Sequence, residues 1–333
     1  MSFTAITQHM AEIEDDMHEK GIVLGCVVNS GCNMKDIAGR YCSYCAITQR
    51  DERDKADLLD GEAFKKAVYG ATQVPGYPLL GVTVCGDEPT ISPDVFYGRT
   101  LPILKTANDL GIRRGIVTNG LTLLDYAQDL IEAEADVSVS LDGVGGDNDL
   151  YRGGYATVST NLRQLPSDMI NRLTIASVIV PGKEHHLEPL LDVIAERGIK
   201  KWILSCLVRF NSGTFARIPR ETVDYLDRLA SRAKRYGVEL QLDYHGVQPL
   251  SVDSLCVVRK PSDVFLLRLT YHGECTLDRG VFKTDGIMRK WSPHRDFTEF
   301  ASGLIYSEHT NRKTVHHGNI FFTKKPALVE MAN

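Results

Sequence analysis

The sequence predicts an α/β protein, a partial (β/α)6 TIM-type barrel with a small C-terminal β-rich appendage. From about residue 20 to residue 245, short apolar runs of strand character alternate with amphipathic stretches of helical period. This alternation indicates βα units and a parallel sheet covered by helices. About six such units are too few for a closed barrel of eight strands, so we expect an open one. An open doubly wound sheet would give the same pattern, and both folds place chemistry at the C-terminal ends of the strands.

The predicted elements follow one another regularly along the chain. The strand runs are, in order, GIVLGCVV, LLGVTVCG, GIRRGIVTNG, ADVSVSLDG, RLTIASVIVPG, IKKWILSCLV and VELQLDYH. The helical patterns lie around residues 61–69, 93–110, 123–133, 155–165, 185–197 and 219–236. We therefore expect a helical lead-in over residues 1–19 and the barrel-like core over 20–245.

Beyond residue 245 the pattern changes. The strand-like runs DVFLLRLTY, GVFKTDG and NIFFT are separated by turn residues and lack intervening helical patterns. Residues 246–333 are therefore expected to form a smaller appended segment of β character that covers the mouth of the barrel.

Composition excludes several classes of protein. The chain has 333 residues, of which 43% are apolar, so it can bury a large core. Its net charge of -5 gives no electrostatic reason to expect a nucleic-acid partner. No run approaches the roughly 18 apolar residues that would span a bilayer, and the N-terminal segment lacks the layout of a signal peptide. A cytoplasmic protein is predicted, in which eight cysteines favour metal or redox chemistry over disulfides.

Three of these cysteines lie in one loop. Cys32, Cys42 and Cys45 follow the first predicted strand. Three thiolates can ligate three irons of a [4Fe–4S] cube and leave the fourth iron open to an outside ligand. An open coordination position distinguishes a catalytic metal centre from a structural one. Zinc bound by Cys42, Cys45 and two remote ligands remains an alternative at this point, as do ordinary buried cysteines.

Further strings at the ends of the strands resemble motifs of the radical S-adenosylmethionine (SAM) superfamily. CGDEPT at 85–90 resembles its Gly-Gly-Glu-Pro motif, and VTNG at 117–120 is similar to its Thr-Asn-Gly motif. SVSLDG at 138–143 looks like the Ser-Leu-Asp-Gly of the SPASM/twitch-allied members, which include peptide and sulfatase maturases. The resemblance covers about residues 20–240. The cysteine spacing departs from it, because nine residues separate Cys32 from Cys42 where the family usually has three, which puts in doubt any assignment finer than the superfamily.

The resemblance implies a SAM site built on these motifs. Gly86, Asp87 and Glu88 are expected to bind the cofactor, with the Glu88 carboxylate accepting hydrogen bonds from the amino group of SAM. Gly86 lacks a side chain, which would let the backbone approach the ligand. Asn119 or Ser140 is expected to hold the ribose or the carboxylate, although either side chain could instead cap a helix.

The other expected SAM contacts come from the fourth, fifth and sixth strands and from the cysteine loop. Arg152 is the candidate for a charged clamp on the SAM carboxylate, with a surface salt bridge as the alternative. Asp142 could be a ligand or a turn residue. Tyr44 is expected to flank the adenine. The apolar wall against the adenine would be formed by Ile179, Val180 and Leu204.

The resemblance also implies the chemistry. A flavodoxin-like or ferredoxin-like partner is expected to supply an electron to the [4Fe–4S] cluster, and cleavage of SAM to a 5′-deoxyadenosyl radical then leads to hydrogen abstraction from a substrate. We expect a small metabolite, such as a nucleoside, a sugar or an amino-acid derivative. A peptide or protein maturase, which crosslinks or epimerises its substrate, is the alternative. A non-catalytic iron–sulfur or zinc binding module is the third possibility.

The remaining candidates concern the substrate. Cys256 and Cys275, in the appended segment, are possible hydrogen-atom donors to a product radical. Asp243, His245, Arg259 and Arg268 are candidate substrate contacts, and the two arginines would indicate a carboxylate or phosphate if both face the cavity. The other cysteines, Cys26, Cys85 and Cys206, are expected to be small core residues.

Overall fold

The computed structural model describes residues 20–45, 59–180, 182–206, 208–209, 214–215, 220–243, 256–258, 264–278 and 288–317. The expected lead-in at 1–19, the runs GVFKTDG and NIFFT, and the boundary at 245–246 lie outside these residues.

Eleven of the described strands form one sheet, in the order β10-β9-β6-β5-β4-β3-β2-β1-β11-β12-β13, and β7 and β8 form a separate two-stranded ribbon. The strands are β1 Gly21–Val27, β2 Leu79–Cys85, β3 Arg113–Thr118, β4 Asp136–Ser140, β5 Leu173–Ile179, β6 Lys201–Cys206, β7 Val208–Arg209, β8 Thr214–Phe215, β9 Glu239–Asp243, β10 Cys256–Val258, β11 Val264–Thr270, β12 Glu274–Asp278 and β13 Met288–Lys290. In the large sheet, pairing is parallel from β10 to β11, and the pairings of β11 with β12 and of β12 with β13 are antiparallel. The sheet does not close, and β1 to β6 follow one another in sequential order without the reversal of a doubly wound sheet, so the predicted partial barrel is confirmed.

Helices follow most of the parallel strands, where the amphipathic patterns predicted them. They are α1 Met34–Ala38, α2 Gly61–Thr72, α3 Pro93–Val95, α4 Leu101–Asp109, α5 Ala127–Glu132, α6 Gly146–Tyr151, α7 Tyr155–Gln164, α8 Ser167–Ile170, α9 Leu187–Glu196, α10 Arg220–Arg235 and α11 Phe297–His317. A π turn at Phe96–Thr100 joins α3 to α4. None of the described helices has the length and apolar character needed to cross a bilayer.

The C-terminal segment continues the main sheet. β11 pairs in parallel with β1, β12 and β13 follow it, and β10 extends the opposite edge beside β9. The segment also contains the helix α11, which the strand-like pattern did not predict. This helix packs closely on α2, because a Cβ at Gly70 would lie 2.7 Å from the Cβ of Phe297. That residues 246–333 cover the barrel mouth stays a prediction.

The two faces of the sheet differ in chemistry. Side chains alternate between faces along a strand, and the strand registers place Thr83, Ser138, Gln241, Arg268 and Thr276 on the same face. We call these five residues the polar face. Val139, Ile175, Trp202 and Leu240 lie on the opposite face and belong to the continuous apolar core.

Candidate cluster and cofactor site

The cysteine loop lies at the C-terminal end of β1 and contains the short helix α1. Cys32 precedes this helix, and Cys42 and Cys45 follow it in a turn closed by the Cys45 N–H donating to the Cys42 carbonyl, 3.0 Å. The helix fits against the chain between α6 and α7, where a Cβ at Gly153 would lie 3.1 Å from the Cβ of Ala38. The unusually long cysteine spacing is therefore a helical turn inserted between the first two thiols.

The donor set of this loop suits an iron–sulfur cluster. Burial raises the pKa of Cys32 to about 12 and also raises the pKa of Cys42, so their ionisation would depend on a bound metal. Among the described residues, no three His, Cys, Asp or Glu side chains are grouped closely enough to hold a single metal ion. The ligands of a cube each bind a different iron, so they need not converge on one point as zinc ligands do. Beside Cys32, the Asn33 Nδ2 atom is buried without a hydrogen-bond partner in the described part of the chain.

Cys42 faces a buried arginine. Arg152 Nη1 lies 3.9 Å from the Cys42 Sγ, and its Nε donates to Asp142 Oδ2, 3.0 Å away. The Tyr44 hydroxyl donates to the same Asp142 oxygen, and the guanidinium lies over the Tyr44 ring with its carbon 5.6 Å from the ring centroid. Burial alone would lower the pKa of Arg152, but the Asp142 carboxylate holds it well above the usual value. Arg152 is thus a buried cation and not a surface salt-bridge partner.

Asp142 is itself held in place. Its Oδ1 accepts from the Val178 N–H, 2.8 Å, and its own N–H donates to Asn148 Oδ1, 3.0 Å. Asn148 also donates to the Gly153 carbonyl, 3.0 Å. The loop after β4 is therefore tied both to β5 and to the segment that carries Arg152.

Cys32 faces an amide. Asn119 Nδ2 lies 3.7 Å from the Cys32 Sγ and 2.8 Å from Asn33 Oδ1. Its Oδ1 accepts from the Leu121 N–H, 2.9 Å. The alternative that Asn119 caps the following turn thus holds for its oxygen, while its nitrogen points to the cysteine loop.

The Glu88 carboxylate is surrounded by hydrogen-bond donors from the protein. The side chain is fully buried, and Oε1 accepts from Thr90 N, Thr90 Oγ1 and Thr118 Oγ1 at 2.5–3.0 Å. Oε2 accepts from the Asn119 N–H, 2.7 Å. Burial raises the pKa of Glu88 despite these bonds. Its four donors come from the protein and tie β2 to β3, and binding of the SAM amino group by this carboxylate stays a prediction.

The backbone conformation and the close neighbour Asn29 favour glycine at position 86. The φ of +145° at Gly86 is a conformation that other residues rarely adopt. A Cβ there would lie 2.8 Å from Asn29 Oδ1. Asn29 Nδ2 in turn donates to the Glu88 carbonyl, 3.0 Å. The close approach predicted at Gly86 is made by the loop after β1.

The other expected SAM contacts divide between the two faces. Ser140 is buried at the end of β4 on the same face as Ser138, and Val180 follows β5 and is half-buried. Leu204 lies on the opposite face with Trp202, fully buried in the apolar core. Its assignment to the adenine wall is corrected, because the pleat directs its neighbour Ile203 to the polar face.

Cys275 also differs from expectation. It is opposite Leu269, which is opposite Cys26, so it lies on the face away from Arg268 and is fully buried. A hydrogen-atom donor role for Cys275 is corrected on this geometry. Cys26 and Cys85 are buried in the apolar core, as expected, and Cys85 lies at the end of β2 on the side of the polar face. Burial raises its pKa to about 11, with Arg268 lowering it and Asp87 raising it, so both charges lie nearby.

Several candidates lie outside the described residues. These are His245 and Arg259, together with the side chains of Asp243 and Cys256, whose backbones lie in β9 and β10. Arg268 is described, and it lies in the middle of β11 opposite Gly25 and Thr276.

Sequence reasoning missed the residues that support the site. Asn29, Thr90, Thr118 and Asn148 hold the motif loops together through their side chains. Thr90 and Thr118 stand inside the strings that resemble the family motifs, and this was the available signal. Asn148 lies outside those strings and carried no comparable signal, although its partners Asp142 and Gly153 are only six and five positions away.

No protein-family model matches the chain. A PqqA peptide cyclase of Methylorubrum populi is 27% identical over 165 residues, which cover 48% of this chain and 41% of that protein. A pre-heme d1 synthase of Dinoroseobacter shibae is 27% identical over 188 residues, 55% of this chain and 42% of that protein. The matches thus span about two fifths of each relative's length. Both relatives are radical SAM proteins.

Solved structures support the fold. Streptococcus suis SuiB bound to S-adenosylmethionine superposes with a TM-score of 0.62 at 13% identity, covering 90% of this chain and 71% of SuiB. SuiB bound to its precursor peptide SuiA gives the same score. The fold, the order of the motifs and the relatives agree with the predicted resemblance to the radical SAM superfamily.

Proposed function

We propose that the chain is a radical SAM enzyme that holds a [4Fe–4S] cluster on Cys32, Cys42 and Cys45 and acts on a peptide. One observation carries the cluster assignment. Two thiols of a single loop meet buried N–H donors. Asn119 comes from the motif at the end of β3, and Arg152 follows α6 and is held by Asp142 of the motif at the end of β4. Outer donors to ligand atoms are the usual support of a metal centre.

When bound, the reduced cluster supplies the electron that cleaves SAM into methionine and a 5′-deoxyadenosyl radical. The protein contributes the surroundings. The Glu88 and Asp142 networks fix the loops after β2, β3 and β4, while the half-buried Val180 offers an apolar surface. Positioning and exclusion of water then determine which substrate hydrogen is taken.

A peptide substrate is favoured over the small metabolite that the sequence suggested. One relative is a PqqA peptide cyclase, and one structural neighbour is SuiB bound to the precursor peptide SuiA. The polar face suits such a ligand. The hydroxyls of Thr83, Ser138 and Thr276 are buried and have no hydrogen-bond partner within the described part of the chain. A peptide backbone offers both donors and acceptors for such groups.

A small-molecule substrate remains the second candidate, because one relative is a pre-heme d1 synthase. For either substrate, the electron donor would approach the cysteine loop, where Lys35, Arg40 and Asp36 are exposed. Because two of these three exposed charges are positive, the loop would favour an electron-donor protein with an acidic surface.

The proposal is tested with anaerobically reconstituted protein, dithionite and SAM. We expect 5′-deoxyadenosine to form, and its formation to accelerate when a short precursor peptide encoded beside the gene is added. That peptide should change in mass. Absence of 5′-deoxyadenosine from iron-loaded protein would refute the enzyme. Acceleration by a tetrapyrrole precursor, and not by the peptide, would favour the second candidate.

A further inference from the structure

We propose that Arg152 and Asn119 donate hydrogen bonds to the ligating thiolates of Cys42 and Cys32 and thereby set the reduction potential of the cluster, with Asp142 and Tyr44 as positioning residues for Arg152. The inference rests on the proposed function. It assigns to Arg152 a role that does not depend on SAM.

Contacts within the protein carry the first step. Arg152 Nη1 and Asn119 Nδ2 lie 3.9 Å and 3.7 Å from the sulfurs of Cys42 and Cys32. Both distances suit N–H donors to sulfur, which is larger than oxygen. Neither contact runs through an atom of SAM, so both can form whether or not SAM is bound.

The second step is the restraint on Arg152. Its Nε is held by Asp142, and its plane lies over Tyr44, so the guanidinium is fixed along two directions. The side chains of Arg152 and Asp142 are 10% and 1% exposed. A buried ion pair of this kind is retained only with good geometry. Its geometry here leaves Nη1 directed at Cys42.

The third step is the effect on an electron. N–H donors and a nearby cation stabilise the more negative, reduced state of an iron–sulfur cluster and make its potential less negative. Asp142 offsets part of the arginine charge, but it contacts the Nε side, whereas Nη1 contacts the sulfur. The low dielectric of a buried site strengthens the effect.

A potential titration followed by EPR, in the absence of SAM, tests the inference. Arg152→Gln and Asn119→Ala should each keep the wild-type iron and sulfide content and shift the potential to more negative values. Arg152→Lys, which keeps the charge without the planar fork, should give a smaller shift. Arg114→Gln is the matched control, since Arg114 also forms an ion pair, with Glu134, at the opposite end of the strands; its potential should equal that of the wild type.

The same variants distinguish the proposed role of Arg152 from a role in binding SAM. If Arg152→Gln alters the spectrum only after SAM is added, Arg152 is a clamp on the SAM carboxylate and the inference is overturned. If Arg152→Gln fails to hold a cluster, Asn119→Ala and Arg152→Lys decide, and unchanged potentials in both overturn it. Wild-type protein without iron would refute the proposed function instead.

Discussion

The loops after β2, β3 and β4 and the polar face of the same sheet satisfy their buried polar groups very differently. In the loops, Glu88 and Asp142 accept from several protein donors each. On the polar face, the hydroxyls of Thr83, Ser138 and Thr276 lack partners among the described residues. An unsatisfied buried group costs about 1–3 kcal/mol. Under the proposed function, this is the difference between a prebuilt cofactor cradle and a surface that acquires its partners from a ligand.

The largest effect is expected at the cysteine loop. Cys42→Ala should abolish iron binding and 5′-deoxyadenosine formation, because the two remaining thiolates would leave two irons of the cube without a protein ligand. Iron per folded chain, measured after anaerobic reconstitution, checks this. Cys26→Ala is the control, since Cys26 is buried in β1 on the face opposite Arg268. Equal iron in the two variants would contradict the assignment.

The second-largest effect is expected at the buried ion pair between Asp142 and Arg152. Asp142→Asn leaves the Arg152 charge buried without its counterion and should lower the free energy of unfolding by about 3–5 kcal/mol. Glu134→Gln removes the partner of Arg114 at a position where the carboxylate is 60% exposed, and should cost about 0–1 kcal/mol. Urea denaturation of both variants measures the difference. Similar losses in the two would mean that the Asp142 network is not buried as described.

Gly86 tests the close approach between the loops after β1 and β2. Gly86→Ala combines an unfavourable φ with a contact of 2.8 Å to Asn29, and should cost about 2–4 kcal/mol. Gly111→Ala has a φ of +67° with nothing within 4 Å, and should cost about 1–2 kcal/mol. Thermal unfolding of the pair compares a position that disfavours a side chain by both φ and contact with one that disfavours it by φ alone. If Gly86→Ala proved no worse than its control, the contact would carry no strain.

The smallest effects compare one hydroxyl from each region. Thr118→Val removes a donor to Glu88 and should cost about 1–3 kcal/mol. Thr83→Val removes a hydroxyl that has no partner in the described structure, so its stability should stay within about 0.5 kcal/mol of the wild type or rise. Both are measured by denaturant unfolding without ligand. A loss at Thr83 as large as at Thr118 would remove the distinction between the two regions.

Much of the architecture followed from the sequence, because hydrophobic period and strand-end motifs are local properties. All seven strand runs of the core appear as β1–β6 and β9. The parallel pairing of β11 with β1 did not follow, since it joins residues more than 200 positions apart. The cysteine loop was readable because its ligands are close in sequence. The inward turn of Glu88 and the burial of Leu204 depend on which way each side chain points, which residue type alone does not determine.

The most direct test of the central claim is the EPR spectrum of the reduced, iron-loaded protein before and after SAM is added. Three cysteine ligands and one open iron predict a [4Fe–4S] signal whose g values shift on SAM binding. A signal that SAM leaves unchanged, or protein that takes up zinc in place of iron at these thiols, would contradict the account.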